Sequence, residues 1–248
     1  WATAVDNGSN DGLLVTATGL RRDAYLPAAS SAPGRFGAYF RTDLKVSNPR
    51  PAPTNVRVTF FPTTGGAPAQ IVLGLGAWET RQFEDVLDSL LEVTEDAAGA
   101  LRLTVLGDSP GVVVSSRTYA EEPGRSYGLA IGVLENAEAA AGEQIALSFL
   151  SSSAATRTNL GFLETSGVAT RLRVALFGVD GERLAERDLA LAPYQAVQWN
   201  DLFAEMGAEP REEASAIVDV VDGGAVIAHA IRIDNRTNDA GFLVGSVL

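Results

Sequence analysis

The chain has no cysteine and a single histidine, His229. The first absence removes disulfide scaffolds, cysteine-ligated zinc, iron–sulfur clusters and thiol nucleophiles together. The second leaves little for imidazole-based metal sites or acid–base chemistry. Positive charge is scarce: 19 Lys and Arg stand against 31 Asp and Glu in 248 residues, a net charge of −12 with a pI near 4.5. Phosphate affinity comes from clustered Lys and Arg, so no nucleic-acid partner is expected. Long apolar runs are missing too. The best of them, such as residues 129–134, fall far short of the roughly 18 residues of a spanning helix, so no membrane span is expected. Met206 is the sole Met and the first residue is Trp1, a pattern that fits an exported chain whose initiator Met left with a signal peptide and equally a trimmed chain.

What is present is enough to fold: 46% hydrophobic residues against 20% charged ones argue against disorder, and the length suits one large or two small domains. An internal repeat decides between them. Arg41-Thr42-Asp43-Leu44 returns as Arg157-Thr158-Asn159-Leu160, an offset of 157 − 41 = 116. The same offset carries residues 56–61 onto 172–177, Gly65 onto Gly181, Leu75 onto Leu191, Trp78 onto Tyr194, Gln82 onto Gln198, Phe83 onto Trp199 and Asp85 onto Asp201. A duplicated unit of about 110 residues follows, a normal domain size. Further on the offset drifts by about one, which sets Arg117 near Arg232. Upstream, 24–27 answers 146–150, and Pro33-Gly34-Arg35-Phe36-Gly37 is an insertion of the first copy. The stretch 135–142 has neither alternation nor bulky residues and reads as a linker. The expected organisation is an N-terminal segment 1–23, a first repeat 24–138 and a second repeat 139–248.

Within each copy apolar and polar residues alternate, as in Val56-Arg57-Val58-Thr59-Phe60, Leu101-Arg102-Leu103-Thr104-Val105 and Leu172-Arg173-Val174-Ala175-Leu176. Period two marks strands with one buried face. Turn residues at Asn48-Pro49, Gly65-Gly66, 107–111, Asp180-Gly181 and 222–224 space them about ten residues apart. The fold class is therefore all-β: two tandem antiparallel, Ig-like β-sandwich repeats plus an N-terminal strand segment. One short helical turn per copy is expected at 85–91 and 201–206, with Asp85 and Asp201 as N-caps.

Residues 40–44 with Asn48-Pro49, then Ser115-Ser116-Arg117-Thr118-Tyr119, and Asp234-Asn235-Arg236-Thr237 together resemble the tandem β-sandwich repeats of exported bacterial surface and secreted proteins. The resemblance covers most of 24–248. It implies a secreted repeat module and brings no catalytic residue with it.

Candidate chemistry is thin. Gly107-Asp108-Ser109-Pro110-Gly111 matches the Gly-x-Ser-x-Gly nucleophile elbow, and with an intervening Asp and His229 would give a hydrolase order. An elbow needs a helix to follow, whereas Val112-Val113-Val114 reads as a strand, so a turn is expected. His229 alternates with Ile227 and Ile231 and reads as a core histidine. The pairs Glu84-Asp85, Glu121-Glu122 and Glu212-Glu213 are adjacent, and neighbours on a strand point to opposite faces, so none is a ready glycosidase pair. Trp78 and Trp199 could stack on sugars, but aromatic residues recur at both positions in the two copies, which a shared core explains. Gly74 and Gly76 lack the third Gly of a dinucleotide loop. Asn7, Ser9 and Asp11 alternate ahead of Gly12 like half of an EF-hand loop, yet position 18 is Thr where a bidentate acid belongs. A second oxygen-rich stretch, Asp234-Asn235-Arg236-Thr237-Asn238-Asp239, is the other calcium candidate, and both read first as turns; no other cofactor is expected.

Two apolar strands end the chain: Leu13-Leu14-Val15 near the start, and a stretch with Phe242 and Val244 near the finish. Exchange of such strands between subunits would make a filament. The chain thus reads as a non-enzymatic, extracellular or cell-surface structural or adhesive protein. Its partner would be itself or a cell-surface component. The alternative is a carbohydrate-binding or carbohydrate-cleaving sandwich using Trp78 or an acidic cleft.

Overall fold

The computed structural model describes residues 2–5, 12–15, 20–34, 37–65, 67–122, 125–134 and 137–248. The chain divides into two compact units, Trp1–Glu135 and Asn136–Leu248. Among the described residues no helix is long and apolar enough to cross a membrane.

The first unit opens with β1 (Ala2–Val5) and β2 (Gly12–Val15), which pair only with each other. Then come β3 (Asp23–Pro33), β4 (Tyr39–Ser47), β5 (Thr54–Pro62), β6 (Ala69–Leu75), β7 (Thr80–Phe83), α1 (Val86–Ser89), β8 (Ala97–Leu106), β9 (Val113–Glu122) and β10 (Arg125–Ile131). The second unit holds β11 (Gln144–Leu150), β12 (Thr156–Glu164), β13 (Thr170–Gly178), β14 (Arg183–Leu191), β15 (Ala196–Trp199), α2 (Leu202–Met206), β16 (Ala214–Asp222), β17 (Val226–Asp234), β18 (Ala240–Val244) and β19 (Ser246–Val247). Its two sheets run β14-β13-β16-β11-β19 and β15-β12-β17-β18. The first unit repeats that order as β6-β5-β8-β3 and β7-β4-β9-β10. Both are antiparallel sandwiches, as the alternation implies.

The alternating residues make the core. Val56, Val58 and Phe60 of β5, with Leu101, Leu103 and Val105 of β8, are buried, as are Leu172, Val174 and Leu176 of β13. Each contributes about 1.5–3 kcal/mol on burial. In the second unit the core cluster draws Ile145, Leu172 and Val218 from one sheet and Leu160, Phe162 and Ala228 from the other. Phe162 and Trp199 meet edge to face, 5.1 Å between centroids.

The registers of the two units match strand by strand. Leu44 pairs with Phe83 and Leu160 with Trp199, both at the 116 offset. A register shift interrupts β3 between Leu26 and Ala29 and β11 between Leu147 and Leu150, at equivalent places. Asp43 pairs with Arg117 and Asn159 with Ile231, so Arg117 answers Ile231 rather than Arg232. One difference is large. In the first unit the tip of β3 also pairs with β4, Ser31 with Arg41 and Pro33 with Tyr39, fusing the two layers into one eight-stranded sheet. The insertion around Gly37 (φ 82°) supplies the extra chain for this, whereas β11 ends at Leu150.

The helical turns stand where expected, but α1 is shorter, and Asp85 and Asp201 do not cap through their side chains. Both hold left-handed backbones, φ 46° and 65°, which aims the carboxylate away from the helix N–H groups.

Candidate functional site

The repeated Arg-Thr-Asp/Asn-Leu motif is a structural clasp. Thr42 accepts the backbone N–H of Ser30 at 2.8 Å, and Thr158 that of Ser151 at 2.9 Å, each tying one sheet to the other. Asp43 accepts the N–H of left-handed Asp85 and Asn159 that of Asp201, both at 3.1 Å. Leu44 and Leu160 fill the core. The Ser31 hydroxyl donates to the Asp85 carboxylate at 2.8 Å and Arg41 lies 3.7 Å away, so that acid is committed to structure.

The remaining sequence candidates scatter. Ser109 sits in the loop between β8 and β9, with no helix after it, and Arg22 clamps the loop by donating to the carbonyls of Ser109 (2.5 Å) and Gly107 (2.6 Å). His229 is buried and neither ring nitrogen has a hydrogen-bond partner among the described residues. Burial holds its pKa down at about 4. It packs against the Phe242 ring at 5.5 Å, and Gly161 leaves the space it occupies, since a Cβ there would come within 2.5 Å of the imidazole. Glu212 and Glu213 are exposed ahead of β16, and Glu121 and Glu122 end β9. In the stretch 234–239, Asp234 accepts the N–H groups of Arg236 and Thr237, a turn in which those bonds hold its carboxyl below the usual range. No group of three or more metal-ligating side chains occurs among the described residues. Asn7, Ser9 and Asp11 lie outside them.

Of the assembly candidates, Leu13, Leu14 and Val15 pair with Ala4, Thr3 and Ala2. Phe242 and Val244 lie on β18, paired on one side to Ile231 and His229. The other side of β18 ends its sheet.

A sharper surface feature was not singled out in the sequence. The edge strands β6 and β14 are equivalent: Thr54 pairs with Leu75 and Val58 with Ile71, as Thr170 pairs with Leu191 and Val174 with Arg187. Gln70, Ile71 and Val72 therefore answer Glu186, Arg187 and Asp188. On β14 these charges are laced together, Arg173 to Asp188 at 3.1 Å, Arg183 to Glu186 at 2.7 Å and Arg187 to Glu205 at 3.2 Å. On β6 there is no charge at all; Ile71 is 38% and Val72 51% exposed, and Arg57 faces Val72 where Arg173 faces an acid. Exposed ion pairs add little stability, but charge on an edge strand keeps other strands off. The missing charges at 70–72 were readable once the repeat was aligned; what hid them was that alternation alone does not say which strand is an edge.

Aromatic recurrence also splits. Phe83 and Trp199 are buried, as a shared core requires, but Trp78 is 67% exposed and Tyr194 39%.

No protein-family model and no curated protein matches the chain. Among solved structures, the C-terminal domain of the Streptococcus agalactiae AgI/II polypeptide BspA is 10% identical over 83% of this chain and 84% of its own, with a TM-score of 0.17. A structure of infectious bursal disease virus, Gx strain, is 11% identical over 95% of this chain and 78% of its own, also at 0.17. At such scores the chains superpose too little to transfer fold or role.

Proposed function

We propose that this is an exported structural or adhesive protein without catalytic activity, whose copies join head to tail by strand addition between β6 and β18. The observation that carries the reading is the uncharged β6, which ends its sheet among the described residues, beside its charge-laced counterpart β14. A chain of net charge −12 repels its own copies over most of its surface, and β6 and β18 are edge strands that contain no charged residue. Main-chain hydrogen bonds would join them, with Ile71 and Val72 meeting Phe242 and Val244. Because β6 lies in the first unit and β18 in the second, the contact is heterologous and does not close on two copies, which generates filaments or rings.

Light scattering with negative-stain imaging tests it. The wild-type chain is expected to form particles well above 26.0 kDa. The triple variant Gln70→Glu, Ile71→Arg, Val72→Asp, which copies β14 onto β6, is expected to stay monomeric. A wild-type monomer at all concentrations contradicts the assembly. Deleting residues 1–23 separates this from exchange of β2, which predicts loss of particles on truncation.

A further inference from the structure

The loop 48–53 between β4 and β5 lies against the β6–β7 turn. Trp78 donates its backbone N–H to Arg50 O at 2.9 Å, Asn48 N–H reaches Glu79 O at 2.8 Å, and the Asn48 side-chain amide donates to the carbonyls of Ala52 and Gly76 at 2.8 and 2.7 Å. Pro49, Pro51 and Pro53 restrict the loop further. Trp78 is held left-handed, φ 61°, with its indole largely in solvent. A bulky residue is strained in that region of the backbone.

The second unit shows what this corner looks like when it is closed. Glu164 replaces Asn48 and is fully buried; its carboxylate accepts the N–H groups of Ser166, Gly167 and Tyr194 at 2.7–2.8 Å. Thr170, the counterpart of Thr54, donates to Val168 O and accepts Gly224 N–H. Tyr194 lies over Gly167, where a Cβ would come within 2.6 Å of its ring. In the first unit Pro51 stands at that glycine's position, so Trp78 has no such seat. There Asn48 Oδ1, Arg50 Nε and Thr54 Oγ1 are buried without partners among the described residues, and Asn48 and Thr54 are only 1% and 6% exposed. Buried polar atoms left without partners carry a desolvation cost that a bound hydroxyl can relieve.

We infer that Trp78 and the loop 48–54 form a saccharide-binding site. A flat exposed indole offers a stacking face to the C–H side of a pyranose ring. Beside it stand an acceptor, a donor and a hydroxyl in need of partners, which sugar hydroxyls supply because each donates and accepts. Those atoms are buried, so on this proposal the loop shifts as a ring settles on Trp78 and brings them to its hydroxyls. Glycan contact is one way for an adhesive chain to hold a surface, and the inference narrows the proposed role while standing on residues other than β6.

The test uses the non-assembling β6 triple variant, so that failure here is distinct from failure of assembly. Cellohexaose, chitohexaose, maltohexaose and an oligogalacturonate are titrated to millimolar concentration against the 15N-labelled chain. The neutral and acidic arms tell ring recognition from simple attraction to Arg50. At least one glycan is expected to shift the Trp78 indole and the amides of 48–54 saturably, with Trp78→Ala abolishing the effect and Arg50→Ala weakening it about tenfold, as loss of a charged hydrogen bond does. No shift with any of the four, or shifts that persist in Trp78→Ala, overturns the site. An indole that responds to protein concentration and not to glycan assigns Trp78 to contact between copies and overturns it equally.

Discussion

The two units share one strand order, one bulge position, one clasp and one pair of left-handed aspartates, yet they differ at two places on their surfaces. The second unit covers its edge β14 with ion pairs and seats Tyr194 on Gly167. The first leaves β6 bare and Trp78 in solvent. Since the same fold accommodates both arrangements, neither exposure is a requirement of folding. On the proposed reading the open features are the places where the chain makes contacts, and the closed ones show what the same positions look like without such a contact.

Four experiments break or sharpen this comparison. The largest effect concerns His229, whose equivalent in the first unit is Ser115, opposite Lys45. Its folded pKa of about 4 lies below the 6.5 of an unperturbed imidazole, so between those values the unfolded chain binds the extra proton. Stability is complete above pH 6.5, falls as pH drops toward 4, and levels off below, for a loss of about 3 kcal/mol. Chemical denaturation at pH 7, 5.5 and 4 checks this, and His229→Leu is expected to remove that component.

Next, Gly161→Ala forces a methyl into the imidazole and is expected to cost about 1–3 kcal/mol, with His229→Ala in the same chain recovering most of it. Simple additivity in that double-mutant cycle would show that the ring is not what the glycine accommodates. Smaller still, Thr42→Val and Thr158→Val each leave a clasped backbone N–H unpaired and are expected to cost about 1–2 kcal/mol in melting experiments, equally in the two units. Unequal costs would mean the clasp has different importance in the two copies. Least of all, the β6 triple variant is expected to move monomer stability by no more than about 0.5 kcal/mol, as exposed charges do, while removing assembly.

Much of the fold could be read from residues alone because alternation reports burial directly: Val56, Val58 and Phe60 had to face one way. The 116 offset then paired Asp85 with Asp201 and Trp78 with Tyr194 before any coordinates. Less visible were features that depend on what lies across from a residue. That Asp85 occupies the cap position without capping follows from its backbone angle, which composition does not encode. Trp78 was assigned to the core on recurrence, but its seat depends on whether Gly or Pro stands at 51 and 167. The fusion of the layers depends on β3 running to Pro33 and β4 starting at Tyr39 on either side of the insertion, a pairing that alternation alone does not show.

The most direct test of head-to-tail addition is a mixing experiment by sedimentation velocity. Val72→Lys blocks β6 and Val244→Lys blocks β18, so each variant alone lacks one of the two joining edges, yet together they retain one intact edge of each kind. The account predicts that both variants are monomers alone and form a dimer, and nothing larger, when mixed in equal amounts. Monomers that stay monomers on mixing, or a single variant that still forms long particles, would contradict it.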